Sequence, residues 1–162
     1  MTAGESTTDG ARGGRTRARE VVFRALFEAD LSGDDPREVL ELSMGRFRFT
    51  ADGRAFANLL VSNIEERAEE IDRLLGELLA RWALDRLSTV VRAILRMAVM
   101  ELLVIDESPP RVILNEAVRL ANRYGEEGAG SFVNGVLDTA TRRLRPGALD
   151  APGEEAAPRG VD

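Results

Sequence analysis

The stretch SFVNGVLD, residues 131–138, sets Asn134-Gly135 between two apolar pairs. Asn-Gly flanked by hydrophobic residues is the strongest local hairpin signal, because both central positions of the turn need positive φ. The same residues also read as helix. Val133, Val136, Leu137 and Ala140 recur at the spacing of one helical face, and Leu144 continues it. Two strands would need alternation on both sides of the turn and a further strand as partner. No other segment offers one. The octapeptide therefore belongs to one helix over about 131–144. Gly135 inside it costs about 1 kcal/mol against alanine. The close approach of a neighbouring helix backbone is the expected reason for it.

Working outward, the other periodic segments are helical too. Ala18, Val22, Ala25, Leu26 and Ala29 predict a helix from about Thr16 to Leu31, stopped by Ser32-Gly33-Asp34-Asp35-Pro36. A short helix follows over about Arg37 to Met44, and 45–51 is a connector. Phe56, Leu60, Ile64, Ile71, Leu75, Leu78 and Trp82 form one stripe from about Asp52 to Arg81. That stripe skips a turn near Asn63–Arg67, which suggests two consecutive helices. The segment from Ser88 to Ile105 is apolar nearly all round, as a central buried helix is. Pro110 opens the next helix, which ends near Tyr124. The expected fold is all-α, a compact bundle of six to seven helices over residues 15–145. Residues 1–14 and the acidic Pro/Gly/Ala stretch 146–162 read as disordered tails, too poor in apolar groups to offset ordering entropy.

Composition excludes several classes of chemistry. The 162 residues contain no cysteine and no histidine, and all 22 basic residues are arginine. Disulfides, Cys/His metal sites, Cys nucleophiles and His bases are therefore absent, and so are Schiff-base and Walker-type lysines. No metal or cofactor is expected. The start has no apolar core of a signal peptide, and the most apolar segment is broken by Arg92, Arg96 and Glu101. No membrane segment is expected, and a cytoplasmic location fits. A net charge of −6 argues against general coating of nucleic acid, so any basic site must be local.

Most polar clusters read as structural. Gly125 to Gly130 mimics part of a phosphate loop, but it lacks a lysine, follows a helix and carries Glu126 and Glu127. Asp34-Asp35, Glu65-Glu66 and Glu69-Glu70 read as solvated faces rather than catalytic pairs. Arg96 and Glu101 interrupt the most buried helix and therefore need partners. Asn115, Glu116 and Asp138 are the candidates.

The most informative cluster is ARGGRTRARE, residues 11–20. Arg12, Arg15, Arg17 and Arg19 against Glu20 give a local charge of +3, and Arg24 adds one more. Arg19, Phe23 and Phe27 fall on successive helical turns. Arginine beside an edge aromatic suits single-stranded RNA, with guanidinium for phosphate and ring face for base. The same residues fit equally a solvated basic arm with Phe23 and Phe27 in the core.

Three blocks resemble the NusB family of bacterial transcription antitermination factors. They are RTRAREVVFRALFEAD, LSTVVRAILRMAVMEL, and PPRVILNEAVRLANRYG followed by SFVNGVLD. The resemblance covers about residues 15–145 and implies an all-helical fold with Asn-Gly inside a helix. It implies a non-enzymatic adaptor that binds single-stranded boxA RNA of ribosomal-RNA transcripts. The partner is NusE, a small-subunit ribosomal protein, and the pair acts on RNA polymerase with other Nus factors. Carried over by position, Arg15, Arg17 and Arg19 become phosphate contacts, and Phe27 and Tyr124 become aromatics near the RNA. Phe132 and Asn134 lie near that surface. Gly128 stands where some relatives have an acid.

Two rival roles remain. A family of rRNA cytosine methyltransferases carries a NusB-like domain, but this chain has no strand–Gly-rich-loop unit for S-adenosylmethionine and no Cys nucleophile. The other is a helical scaffold or homodimer without direct RNA contact.

Overall fold

The computed structural model describes residues 3–79 and 84–150, with side chains from Gly13 onward. Among these residues the chain forms seven α-helices, one 3-10 turn and no strand. The helices are α1 (Ala3–Ser32), α2 (Pro36–Met44), α3 (Ala51–Glu66), α4 (Ala68–Leu79), α5 (Thr89–Val104), α6 (Pro110–Tyr124) and α7 (Ala129–Leu144), with the 3-10 turn at Leu84–Arg86.

Local chemistry sets most of the boundaries. Asp35 accepts a hydrogen bond from the Arg37 backbone at 2.9 Å, and Pro36 supplies the first helical position of α2. Thr50 caps α3 by accepting from Gly53 N at 2.9 Å, and Ser88 caps α5 through Val91 N at 3.2 Å. The expected interruption near Asn63–Arg67 falls at Arg67, whose φ of −110° and ψ of 16° separate α3 from α4. Trp82, placed on the same stripe by its spacing, lies outside the described residues.

One boundary differs clearly from expectation. α1 begins at Ala3 rather than about Thr16, so the helix runs through much of the stretch read as a tail. No proline occurs before Pro36, and nothing in the local chain breaks the helical backbone. Only the apolar stripe, which sequence periodicity detects, begins later. At the other end, residues 145–150 form turns that fold back on the bundle: Leu149 O accepts from Arg111 at 3.4 Å, and Asp150 pairs with Arg142 at 3.3 Å.

α5 is the axis of the molecule. Ten of its residues are buried, and it packs against α1, α3, α4, α6 and α7. α1 and α3 cross at two glycines. A methyl group on Gly53 would lie 2.8 Å from the Gly14 carbonyl oxygen, so neither position has room for a side chain.

SFVNGVLD lies wholly within α7, as the spacing of its apolar residues predicts. The expected reason for Gly135 is corrected, however. Gly135 is exposed, and no atom lies within 4 Å of where its Cβ would be. Close backbone approach belongs to Gly14 and Gly53 instead. Gly135→Ala should therefore stabilise the protein by about 0.5–1 kcal/mol, through lower backbone entropy in the unfolded chain. Chemical denaturation measures it. A loss of stability would mean a positive-φ turn at this position.

Candidate nucleic-acid interface

The basic run of α1 does not form one cluster. A helix turns about 100° per residue, so arginines two and four positions apart spread around it. Arg17, Glu20 and Arg24 share one solvent-facing ridge, while Arg15 and Arg19 point to the far side. Arg15 reaches α3: its Nε donates to Asp52 at 3.2 Å, and its guanidinium lies 4.7 Å from the Phe56 ring centre.

Arg19 is buried, with 4 % of its surface exposed. Its Nη2 and Nε donate to Glu101 at 2.5 and 3.1 Å, and its guanidinium stacks 5.0 Å from Phe56. Ser108 Oγ donates to the same carboxylate at 2.8 Å. The expectation that Arg19 contacts phosphate is thus corrected: it neutralises a carboxylate in the core. The signal was present in the spacing. Arg19, Val22, Phe23 and Leu26 follow the i, i+3, i+4, i+7 pattern of one buried face.

The partners of the central helix are corrected likewise. Glu101 is held by Arg19 and Ser108. Arg96 forks onto Asp72 of α4 at 2.9 and 3.0 Å, with Asp30 of α1 at 3.9 Å. None of Asn115, Glu116 or Asp138 takes part in these bonds.

An aromatic groove opens on one flank of the α1 ridge. It is lined by Phe23, Arg24, Phe27, Leu31, Val90 and Tyr124, with the exposed Glu28 and Ser32 at its edge, and encloses about 620 Å³. Phe23 forms the buried floor, with its ring centre 5.1 Å from that of Tyr124 and 6.3 Å from that of Phe27. Phe27 and Tyr124 are half-buried and leave ring surface to solvent. Glu20 braces the rim: it accepts from Tyr124 OH at 2.6 Å and from Arg123 Nη1 at 2.8 Å. Burial first, and Glu20 second, raise the Tyr124 phenol above its ordinary value. Tyr124 therefore stays a neutral hydrogen-bond donor in any physiological buffer. Arg123, which the sequence reading did not single out, also covers the Tyr124 ring at 5.3 Å.

The remaining predicted residues divide. Phe132, in the first turn of α7, lines a second groove of about 330 Å³ with Arg86, Leu87, Val91 and Glu127. Consecutive residues Val90 and Val91 line one groove each, so the two meet around the start of α5. Asn134 points elsewhere, into a polar hollow with Arg111, Asn115, Asp138 and Arg142. The structure thus joins Phe27 and Tyr124 beneath a ridge bearing Arg17 and Arg24, with Phe132 nearby. It separates Arg15, Arg19 and Asn134 from them. Gly128, with φ of 87°, makes the left-handed turn into α7. Among the described residues no cluster of three acidic side chains could hold a metal, and no helix is long and apolar enough to cross a membrane.

A ridge of guanidinium groups above exposed ring faces, on an otherwise anionic helical bundle, defines a class: a helical protein with a surface suited to unpaired nucleic acid. The sequence model of the NusB family matches residues 16–142. The transcription antitermination protein NusB of Exiguobacterium sp. is 44% identical over 126 residues, covering 76% of this chain and 93% of that protein. The NusB protein of Syntrophus aciditrophicus is 38% identical over 130 residues, covering 80% and 81%. Among solved structures, T. maritima NusB superposes with a TM-score of 0.76 at 34% identity, over 84% of this chain and 96% of that one. A structure of antitermination factors NusB and NusE in complex with dsRNA gives a TM-score of 0.72 at 30% identity, over 80% and 97%. The chain belongs to the NusB family.

Proposed function

We infer that this chain is a transcription antitermination factor that binds boxA-type single-stranded RNA of ribosomal-RNA transcripts together with the ribosomal protein NusE. In this reading it works in the cytoplasm, within an RNA polymerase complex containing other Nus factors. It acts as an adaptor and catalyses no reaction. The observation that carries the reading is the aromatic groove under the Arg17–Arg24 ridge, on a chain of this family. Support for the partners comes from a related NusB solved with NusE and dsRNA.

Each part of the groove has a task. Arg17 and Arg24 neutralise phosphates, which gives affinity without sequence preference. Phe27 and Tyr124 offer ring faces to unstacked bases. Tyr124 OH is held by Glu20, so the ring stands in place before RNA arrives, and less ordering is needed on binding. Arg19 holds α1 against α5 and thereby positions the ridge.

The test is a titration of boxA-type RNA with and without NusE across a range of salt. Binding should be weak for this chain alone and tighter for the pair. Two or three phosphate contacts to a single strand predict a log–log salt slope of about −1.4 to −2.1. Arg17→Ala with Arg24→Ala should reduce affinity and flatten that slope. An affinity indifferent to salt and to both substitutions would refute the assigned surface.

A further inference from the structure

The α2–α3 connector, Gly45 to Thr50, reads Gly-Arg-Phe-Arg-Phe-Thr. No acidic residue occurs between Glu41 and Asp52. Arg46 and Arg48 are exposed, and Phe47 and Phe49 are half-buried against the core. The connector lies along α1. Arg24 stacks over Phe47 at 5.8 Å, and Thr50 Oγ1 sits 2.5 Å from where a Gly14 Cβ would be. Arg17 lies on α1 between those two contacts. The ridge therefore has the aromatic groove on one flank and the connector on the other. Arg24 belongs to both, since it also lines the groove.

Many arginines of the molecule are tied to carboxylates, and several are not. Arg15, Arg37, Arg92, Arg96 and Arg143 are each held by a carboxylate. Among the described residues Arg17, Arg24, Arg46 and Arg48 form no ion pair, as is also true of Arg54, Arg73 and Arg86. What sets Arg17, Arg24, Arg46 and Arg48 together is their place on α1 and on the connector that lies along it. Alternating guanidinium and half-exposed rings match the repeat of an extended single strand, with phosphate and base presented in turn. A protein partner with a carboxylate patch would not require the interleaved rings.

We propose that the Arg46–Phe49 connector is a second RNA-binding element, which takes unpaired nucleotides flanking the segment held in the aromatic groove. The proposal rests on the RNA-adaptor reading above and extends its surface across the α1 ridge. Arg46 and Arg48 neutralise phosphates of the flanking strand. The exposed edges of Phe47 and Phe49 meet its bases.

The experiment uses the full chain and two RNAs with the same boxA-type element, one trimmed to it and one carrying several extra unpaired nucleotides on each side. The longer RNA should bind about tenfold more tightly. Arg46→Ala with Arg48→Ala should abolish that gain, leave the trimmed RNA unaffected, and flatten the salt slope for the longer RNA by about 1.4. Both residues are exposed loop positions, so the fold should tolerate the change. Arg73→Ala on α4 removes an exposed charge far from the connector and should change nothing. An equal loss there would reduce the effect to bulk charge and overturn the proposal. Unaltered binding of both RNAs by the double variant overturns the connector alone. Failure of the unsubstituted protein to bind either RNA removes the adaptor reading and the connector together.

Discussion

Arg19→Ala should lower the unfolding free energy by about 3–5 kcal/mol, a large share of the stability of a domain this size. The substitution leaves the Glu101 carboxylate, 1 % exposed, with only the Ser108 hydroxyl as partner. It also removes one of the two guanidinium groups over the Phe56 ring, leaving that of Arg15. The cost arises from stranding a charge in the core, so removing both charges should be much milder. Arg19→Met combined with Glu101→Met should recover most of the loss, because well-packed apolar replacements of buried ion pairs are often neutral or better. Denaturant midpoints for the two singles and the double decide the matter. A double variant as unstable as the worse single would show that the loss comes from shape rather than charge. The same cycle distinguishes the core role from phosphate contact. The Met/Met protein should keep the salt dependence of RNA binding, whereas an RNA-contacting Arg19 would flatten it.

The second large effect is expected at Arg145, just past the end of α7. Its guanidinium donates to four backbone carbonyls: Leu102 at 2.9 Å, Ser108 at 2.6 Å, Glu101 at 3.1 Å and Ile105 at 2.6 Å. These oxygens belong to the last turn of α5 and the turn after it; Glu101 O and Ile105 O also accept from the Ile105 and Ser108 N–H groups, whereas the end of a helix otherwise leaves carbonyls short of partners. A cation there also faces the negative end of the helix dipole. Arg145→Ala should cost about 2–4 kcal/mol, more than one neutral hydrogen bond, because several charge-assisted bonds go at once. Arg145→Lys should restore less than half, since an ammonium cannot form the planar fork that reaches four oxygens. Thermal or chemical unfolding checks both. A loss below 1 kcal/mol for the alanine variant would show that water replaces the guanidinium there, contrary to this account.

The two cases show where sequence reasoning reached and where it stopped. Pro110 marks its helix start by local chemistry alone, and the caps at Asp35, Thr50 and Ser88, which also act within three residues of themselves, lie within two residues of the starts that periodicity gives. The buried face of α3 and α4 was equally plain, since its period is a property of the chain alone. Arg19 belongs to a run of like charges that resembles one patch, although its own apolar spacing marks it as inward. Arg145 is in sequence only the last residue of the helical region. Its carbonyl partners lie 37 to 44 residues away, and backbone oxygens carry no sequence signature. The connector 45–51 reads in sequence as a plain link, because its significance depends on Arg24 standing over Phe47.

By itself, then, the sequence determined the helical class, a break near Asn63–Arg67, the helical state of Asn134-Gly135 and the family. Each of these follows from periodicity, capping or motif, which operate over a turn or two of chain. Only the tertiary structure decided which arginines are free to meet a ligand and which hold the core. A guanidinium is identical in either role, and the carboxylate or carbonyl that captures it is brought near by folding rather than by neighbouring residues. The same holds for the groove: Phe27 and Tyr124 are almost a hundred positions apart, and only the packing of α1 against α6 makes them one surface.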